Sequence, residues 1–517
     1  MTPARWSLPA ILAVVVGIGG VGIGGVAPAP AAELVAAKGT DVTSFDPGIN
    51  PTPDAQQVIT MIYDTLIQRD DSMQLKPGLA VSWQSLDPLT WQLKLRAGVK
   101  FHNGEPFDAR SVKFTLERLS TPGDKAGGHV MFSSFGGIER VDAADPLTVT
   151  VRTKRPDPLL PARLAQTFGA QMIPAEYTTK VGYPGLAKNP VGTGPYKVVQ
   201  WLKDDRTILE SNRDYWGGAP AIDRVVWRII PDDLARVSAL QAGEVHVIVR
   251  VPPDQVGPIE RRSGLRVDRV LGNVTNVFTV AGIKKGVGPL TDKRMRQAIA
   301  YAIDQKAIID NLFRGLAAPL GQGAPSTDFG YNPAIKPYPY DPGKAKALLA
   351  ELGYKGEEVL VRSASGYIVN DVAIVNAATE MLRKVGINAR SEIVDIQTRL
   401  EMIKSGNLTG LILINPQGTN FDTDGVVWRL MGPGGILAVH WRGSDPDQEF
   451  YRLMEEARYT VDQKKRLQNY LRAAEIFADE LPWIPVFQDV ATFGLSAKVK
   501  NFKPRPDWLV LPQRLGL

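Results

Sequence analysis

Apolar and polar positions alternate along the second half of the chain in a way that separates strands from helices. Residues 359–362, 387–394 and 411–414 are short apolar-rich runs that predict strands, whereas residues 371–384 and 397–405 carry apolar side chains at helical spacing. A regular succession of strands and helices favours a mostly parallel sheet covered by helices. The pattern therefore predicts an α/β region here.

Strands predominate in the first half of the chain. Short runs rich in β-branched, aromatic and alternating apolar residues predict strands, at residues 91–95, 148–152, 196–201, 207–210, 225–230 and 245–249. Helical spacing predicts helices at residues 55–67, 109–119 and 232–241.

Start and stop signals refine the later elements. Residues 294–312 carry one apolar helical face, which predicts a single helix, and residues 462–480 predict another amphipathic helix. A further helix begins at Asp341 with a proline in its first turn and ends at Gly353. The proline-punctuated tail, residues 483–517, is strand-like, and we expect it to return and pack on an earlier sheet.

Size and composition are those of a globular protein with several domains' worth of core. The chain has 517 residues, of which 44% are hydrophobic and 22% charged. Sixty basic residues are interspersed with fifty-four acidic ones, so the net charge of +6 forms no basic block that would predict nucleic-acid binding. Cysteine is absent, which excludes disulfides, thiolate metal sites and a lipid-modified cysteine.

The amino terminus has the pattern of a secretory signal peptide. Arg5 precedes an apolar, glycine-studded stretch at residues 11–26, and small residues follow that fit cleavage near Ala31 or Ala32. The glycines make this stretch a poor membrane anchor, and no later stretch is long and apolar enough to span a membrane. We therefore expect an exported protein of the periplasm whose mature chain begins near Glu33.

No motif for catalysis, a metal or a cofactor is present. The close pair Asp422 and Asp424 could serve acid–base chemistry or bind a metal, but a loop with Asx-turn chemistry is favoured. No two histidines have metal-ligand spacing, the four being His102, His129, His246 and His440. The sequence thus predicts neither an enzyme nor a metal-binding or cofactor-binding protein.

Seven spaced motifs are distributed along the chain. The first reads Tyr-Asp-Thr-Leu at residues 63–66, and the turn Asn-Pro-Val-Gly-Thr-Gly-Pro-Tyr occupies residues 189–196. The remaining motifs lie at residues 76–83, 95–106, 212–216, 240–245 and 296–304. Together they resemble the extracellular solute-binding proteins of family 5, the peptide- and nickel-type binding proteins that serve ABC importers. The resemblance runs from about Glu33 almost to the end of the chain.

This resemblance implies a two-lobed α/β periplasmic-binding-protein fold with an extra domain and a ligand cleft between the lobes. The first lobe would take residues 33–63, 189–281 and 483–517, the extra domain residues 64–188, and the second lobe residues 282–482. The implied function is capture by lobe closure of a small solute, which could be a peptide, a peptide-like compound or another small organic ligand, and its delivery to a membrane permease. The implied partners are that solute and ABC permease subunits in the inner membrane, and we expect a monomer.

Two departures from the family pattern concern the ligand. Family members that bind free peptides place an aspartate in the loop after the strand ending near Ile414, where it pairs with the ligand ammonium. Here Thr419 stands at that position, and a hydroxyl cannot supply a charge-assisted hydrogen bond to an ammonium. Ala281 stands where the family commonly has an asparagine. Both departures argue against free oligopeptides as the ligand.

Candidate ligand contacts lie in loops that the resemblance places at the cleft. Aromatic residues there would stack on a ligand and polar groups would orient it. The candidates are Ser44, Phe45, Asn276, Phe278, Tyr367, Gln417, Thr419, Asn420, Asp422 and Trp428.

Two other functions remain open from the sequence. A sensory or chaperone-like receptor would use the same fold and the same cleft. An exported hydrolase would require a nucleophile and a base in the cleft, and the sequence contains no Gly-x-Ser-x-Gly motif.

Overall fold

A computed structural model describes residues 32–49, 52–366, 368–405, 408–433, 435–441 and 445–517. The predicted signal peptide therefore lies almost wholly outside the described residues. Within these ranges, every helix falls short of the length and apolar character that a membrane crossing requires.

Seventeen strands and fifteen helices are described. The strands are β1 (Glu33–Lys38), β2 (Ile67–Arg69), β3 (Leu75–Pro77), β4 (Ala80–Asp87), β5 (Thr90–Leu95), β6 (Ile138–Asp145), β7 (Thr148–Thr153), β8 (Tyr196–Leu202), β9 (Arg206–Ser211), β10 (Arg224–Ile229), β11 (Val247–Val249), β12 (Leu265–Ala281), β13 (Ala317–Ala318), β14 (Val359–Ala364), β15 (Ala389–Val394), β16 (Gly410–Ile414) and β17 (Trp483–Ser496). The helices are α1 (Pro53–Ile62), α2 (Ala109–Ser120), α3 (Phe132–Phe135), α4 (Leu160–Arg163), α5 (Ala175–Lys188), α6 (Asp233–Ala242), α7 (Val256–Glu260), α8 (Lys293–Ala302), α9 (Gln305–Phe313), α10 (Pro342–Leu352), α11 (Asp371–Lys384), α12 (Ile396–Ser405), α13 (Arg429–Met431), α14 (Asp445–Tyr459) and α15 (Gln463–Glu480).

One mixed sheet of eleven strands runs through the molecule. Its order is β15-β14-β16-β12-β17-β11-β1-β10-β9-β8, with β13 joined to β17. In the second half of the chain β14 lies parallel to β15 and β16, as the succession of strands and helices predicts. β12 then runs antiparallel to both β16 and β17.

Strands β12 and β17 join two separate hydrophobic cores. Ile484 and Phe487 of β17 belong to a core built with helices α8, α9, α11 and α15. Phe493 and Leu495 of the same strand belong to a second core, built around β1, β9, β10 and α1. Strand β17 is therefore shared by both cores. Its pairing with β12 shifts register near Thr275.

A third core lies under a four-stranded sheet of order β4-β5-β7-β6, covered by α2. The turn after β5 fastens this unit to the rest of the protein, because His102 accepts from the backbone N–H of Gly192 and its Nε2 lies 2.9 Å from the carbonyl oxygen of Gly194. Three cores separated in this way are compatible with the predicted lobes and extra domain, whose boundaries stay a prediction.

Helix α10 begins and ends where the sequence signals place it. The Asp341 side chain accepts from the backbone N–H of Lys344, and Pro342 occupies the first turn, where its missing N–H costs nothing. Gly353 closes the helix in the left-handed conformation, at a φ of 69°.

Two helix predictions were wrong in extent. The expected helix at residues 294–312 is two helices, α8 and α9, because the Asp304 side chain caps a new helix by accepting from the N–H of Ala307. The expected helix at residues 55–67 ends at Ile62, where the chain extends toward strand β2. The apolar spacing continues through both helix ends, so only the capping hydrogen bonds of the backbone show where each helix stops.

The carboxyl-terminal tail returns to an earlier part of the fold, as predicted. Val499, Val510 and Leu515 enter the core that contains β1 and α1. Gln57 of α1 fixes this return with two hydrogen bonds, donating to the carbonyl oxygen of Trp508 at 2.8 Å and accepting from the N–H of Val510 at 3.0 Å. The return brings the tail beside α1 and strand β2.

Candidate functional site

A cavity of about 740 Å³, open solvent included, lies where five distant segments meet. Its wall comes from residues 60–69 after and within α1, residues 165–171 after α4, Asn273 of β12, residues 418–421 after β16, and residues 505–514 of the tail. Segments from both larger cores and from the four-stranded unit therefore share one concave surface.

Arg69 is a charged group of the wall that forms no direct ion pair among the described residues. Its guanidinium donates to the carbonyl oxygens of Met73 and Asn420, each at 2.5 Å, and lies 5.0 Å from the ring centroid of Phe421. Three aspartates lie near enough to favour its charge without pairing with it directly, namely Asp328, Asp507 and Asp422. Burial lowers the pKa of Arg69 to about 10, so it remains charged at neutral pH.

Two further arginines of the wall are fully engaged with carboxylates. Arg505 forms a two-pronged ion pair with Asp507, at 3.0 and 2.6 Å, and also donates to the carbonyl oxygen of Asp70. Arg514 donates to the carboxylate of Asp71 at 2.6 Å. These pairs hold the returning tail against strand β2 and leave the charge of both arginines compensated.

Asp64 joins three of the family-like sequence motifs. Its carboxylate accepts from Trp216 Nε1 at 2.8 Å, from the hydroxyls of Thr193 and Tyr215 at 3.0 Å, and from Gln68 at 3.2 Å. Burial raises the pKa of Asp64 to about 6 against the opposing effect of these donors. Four donors on one carboxylate indicate a structural role at the edge of the cavity.

The loop after β16 contains four of the predicted contacts, and Thr419 is the one in the cavity wall. Gln417 forms an isolated bridge with Val274 of β12. Asn420 is buried and presents its backbone carbonyl to Arg69. That this loop contacts the ligand and determines its identity stays a prediction.

The acidic pair of this loop is occupied by other side chains. Asp422 pairs with Arg466 at 2.5 Å and accepts from the Tyr470 hydroxyl at 2.9 Å. Asp424 lies 2.6 Å from Arg458 and 3.5 Å from Arg163 of α4. Both carboxylates are nearly inaccessible to solvent. The preference for a structural over a catalytic pair agrees with this geometry.

Four other candidates are packed against the protein itself. Phe45 is fully buried with its ring 5.2 Å from that of Trp201, and Phe278 is fully buried in the core with α8 and α9. The buried Ser44 hydroxyl accepts from the backbone N–H of Asp46 at 2.9 Å. Trp428 is buried in a one-turn π-helix.

Asn276 lies at the crossing of β12 and β17, where it donates to Asp489 at 2.6 Å. Burial raises the pKa of that aspartate to about 7. The remaining candidate, Tyr367, lies outside the described residues.

Sequence reasoning missed several residues of the wall. Arg69 and Phe421 have no motif of their own, although Arg69 follows the Tyr-Asp-Thr-Leu motif by three positions. Gln166, Arg505 and Gln513 lie in segments without periodicity. Their common signal is a polar residue next to an element boundary, and such residues are frequent on any protein surface. Metal binding has no support within the described ranges, which hold no group of three or more His, Asp or Glu arranged to bind an ion.

Comparison with known proteins gives a consistent result over nearly the whole chain. Residues 74–437 match the family described as bacterial extracellular solute-binding proteins, family 5. The sequence is 28% identical to the glutathione-binding protein GsiB of Escherichia coli O1:K1 over 490 residues, which cover 92% of this chain and 93% of that protein. GsiB of Pectobacterium atrosepticum is also 28% identical, over 492 residues.

Solved structures show the same fold. The periplasmic binding protein DppA of Helicobacter pylori, in complex with the peptide STSA, superposes with a TM-score of 0.80 at 27% identity, covering 94% of this chain and 98% of that one. The substrate-binding protein CtaP of Listeria monocytogenes superposes with a TM-score of 0.84 at 23% identity, covering 94% and 99%. The two-lobed periplasmic-binding-protein fold is thus established for this chain.

Proposed function

Because the chain belongs to family 5 of the bacterial extracellular solute-binding proteins, and is a substrate-binding protein of an ABC importer, we propose that it captures a small peptide-like solute bearing a carboxylate. The carboxylate binds Arg69 in the cavity of about 740 Å³. The observation that carries this proposal is the guanidinium of Arg69, which lines the cavity and, among the described residues, donates its hydrogen bonds to carbonyl oxygens and not to a carboxylate.

A guanidinium in this situation favours an anionic ligand. Charge-assisted hydrogen bonds between arginine and a carboxylate are about twice as strong as neutral ones, and the planar fork can hold both oxygens. Arg505 and Arg514 line the same cavity but already pair with Asp507 and Asp71. A ligand carboxylate would therefore gain most at Arg69, where it replaces no existing ion pair.

The solute's amino group is expected to contribute little. Thr419 carries no charge, and the nearby carboxylates of Asp422 and Asp424 are taken up by arginines. Peptides whose amino group is acylated, or whose chain is linked through a side chain, would bind as well as those with a free amino terminus. The glutathione named for relatives is a peptide of this kind, which supports it as the first compound to test.

Contacts between two parts of the molecule that both contribute to the cavity wall support capture by closure. Arg155 pairs with Glu455 at 2.7 Å, and Arg163 lies 3.5 Å from Asp424. Each pair joins the unit around α4 to the part of the chain after β16. Separation of these pairs would open the cavity, and a bound solute would favour their re-formation.

Transport completes the proposed role. Family members are periplasmic, and the relatives include a periplasmic protein associated with an ABC transporter. We expect this protein to be exported by its signal peptide, cleaved near Ala31 or Ala32, and to deliver the solute as a monomer to permease subunits in the inner membrane. No catalytic step is part of this role.

Calorimetry with purified mature protein tests the carboxylate site. Glutathione, dialanine and succinate should bind, whereas dialanine amide, which has no carboxylate, should not. Arg69→Met should weaken carboxylate binding by about 10- to 100-fold, the value of a charge-assisted hydrogen-bond pair. Arg110→Met, at an exposed arginine of α2, is the matched control and should bind as the wild type does. Equal binding of dialanine and its amide would refute the proposal.

A further inference from the structure

Two glutamines in the cavity wall have polar side-chain atoms without hydrogen-bond partners. Gln166 is 2% exposed, and its buried Nε2 has no partner among the described residues. Gln513 is partly buried, and within the same described ranges its buried Oε1 has no partner either. One atom is a hydrogen-bond donor and the other an acceptor.

The other two glutamines of the cavity wall are hydrogen-bonded within the protein. Gln171 donates to the Gln56 side chain at 3.2 Å and to the carbonyl oxygen of Thr167 at 2.5 Å. Gln68 donates to Asp64. Leaving a buried polar atom unpaired is energetically unfavourable, so an unpaired atom in a cavity wall requires an explanation. A ligand group that supplies the missing partner is such a reason.

Both glutamines sit on segments that ion pairs hold in place. Gln166 follows α4 directly, and Arg163 of that helix pairs with Asp157 at 2.6 Å. Gln513 precedes Arg514, which pairs with Asp71 at 2.6 Å. Groups fixed in this way lose little freedom on binding, which favours directional recognition of a ligand.

Resting on the proposed function of this cavity, we propose that Gln166 and Gln513 recognise an amide group of the solute. Gln166 donates from Nε2 to the amide carbonyl oxygen, and Gln513 accepts at Oε1 from the amide N–H. A secondary amide offers one acceptor and one donor, which are the two partners that these atoms lack. The pair thereby selects peptide-like acids over simple carboxylic acids.

Replacing the amide by an ester tests the pair directly. Dialanine and alanyl-lactate both carry the carbonyl, but the ester oxygen of alanyl-lactate cannot donate to Gln513. Calorimetry should show that wild-type protein binds dialanine roughly tenfold more tightly, the value of one hydrogen bond in a buried site. Gln513→Met, which keeps the side-chain length, should abolish this preference, whereas Gln513→Glu, which keeps an acceptor, should retain it.

The Gln166 variant has a different expected signature. Gln166→Met removes the donor to a carbonyl that both compounds possess, so it should weaken both by roughly tenfold and leave their ratio unchanged. Gln200→Met, at an exposed glutamine of β8, should change neither affinity. A persistent amide preference in Gln513→Met, or wild-type affinities in Gln166→Met, would overturn the inference.

Failure of this inference can be told from failure of the carboxylate site. If wild-type protein binds succinate but not dialanine, the amide recognition is overturned while the site at Arg69 stands. If the neutral compound N-methylacetamide binds and the glutamine variants weaken its binding, the amide recognition is upheld. If Arg69→Met leaves the affinities for succinate and dialanine unchanged, the carboxylate proposal is overturned. Unchanged urea unfolding curves for the variants would confirm that each one is folded.

Discussion

Two arginines that contact the loop after β16, the buried Arg466 and the partly buried Arg69, differ in their partners. Arg466 of α15 pairs with Asp422 at 2.5 Å and donates to the Tyr470 hydroxyl and the carbonyl oxygen of Ala457. Burial opposes its charge, but Asp422 and Tyr470 together outweigh burial and raise the pKa of Arg466 above its usual value. Arg69 donates its hydrogen bonds to carbonyl oxygens and forms no direct ion pair among the described residues, and burial lowers its pKa to about 10.

This difference separates a charge that holds the fold together from one that remains for a ligand. A buried ion pair contributes little net stability, yet removal of one partner leaves a costly unpaired charge. A partly buried guanidinium without a direct ion pair adds little to the stability of the empty protein and gains a partner when an anion binds. The same substitution should therefore have a much larger effect on stability at Arg466 than at Arg69.

The largest effect is expected for Arg466→Met. The substitution leaves Asp422 buried without its cation, which should lower the free energy of unfolding by about 3–5 kcal/mol, measured by urea denaturation. Arg390→Met, which breaks the exposed pair with Glu358, is the control and should have no measurable effect. Equal stability of the two variants would contradict the structural role of Arg466.

A second effect is the pH dependence of stability that the buried Asp64 should produce. The pKa of Asp64 is raised to about 6 from 3.8, so between pH 4 and 6 the folded protein binds more protons here than the unfolded chain. The free energy of unfolding should consequently fall as the pH rises through this window, by up to about 3 kcal/mol from this residue. Asp64→Asn removes the titration, so wild-type and variant curves measured from pH 4 to 7 should differ in slope. Parallel curves would be the contrary result.

Asp424→Asn tests whether the ion pairs of Asp424 with Arg163 and Arg458 contribute to closure around a ligand. The variant keeps the shape of the side chain but removes the charge that faces Arg163 and Arg458. We expect a loss of roughly 1–2 kcal/mol in unfolding free energy and faster dissociation of a bound carboxylate, measured by stopped-flow fluorescence. If dissociation stays unchanged, these pairs belong to the fold alone and not to closure.

The smallest stability effect is expected for Arg69→Met. Removing a partly buried charge that has no direct ion pair should change the unfolding free energy by less than about 1 kcal/mol. The same variant should lose the thermal stabilisation that glutathione confers on the wild type, since a ligand stabilises only by binding the folded state. A large loss of stability without ligand would place Arg69 in the same class as Arg466.

Much of the fold follows from local sequence signals. The predicted helices at residues 371–384 and 462–480 match α11 and α15 almost residue for residue, because apolar spacing and capping residues are both local. The break between α8 and α9 was missed because the apolar spacing continues through Asp304. The break itself is made by the Asp304 side chain, which accepts a hydrogen bond from the N–H of Ala307 and so begins a new helix.

The cavity could be predicted only in part. The loop after β16 was singled out, and Thr419 lies in the wall, but its principal charged neighbour was missed. Arg69 and Asn420 are 351 positions apart, and no local pattern links residues at that separation. The unpaired atoms of Gln166 and Gln513 were equally invisible, since satisfaction of a glutamine depends on what surrounds it.

The sequence by itself determined the strands and helices, the family and the absence of thiol chemistry, because periodicity, capping, spaced motifs and composition are properties of the chain. Only the tertiary structure decided which charged side chains form ion pairs within the protein. It gave Asp422 to Arg466 and left Arg69 facing the cavity with carbonyl partners. The physical reason is that the energy of a charge depends on burial and on distances to side chains that lie far away in sequence.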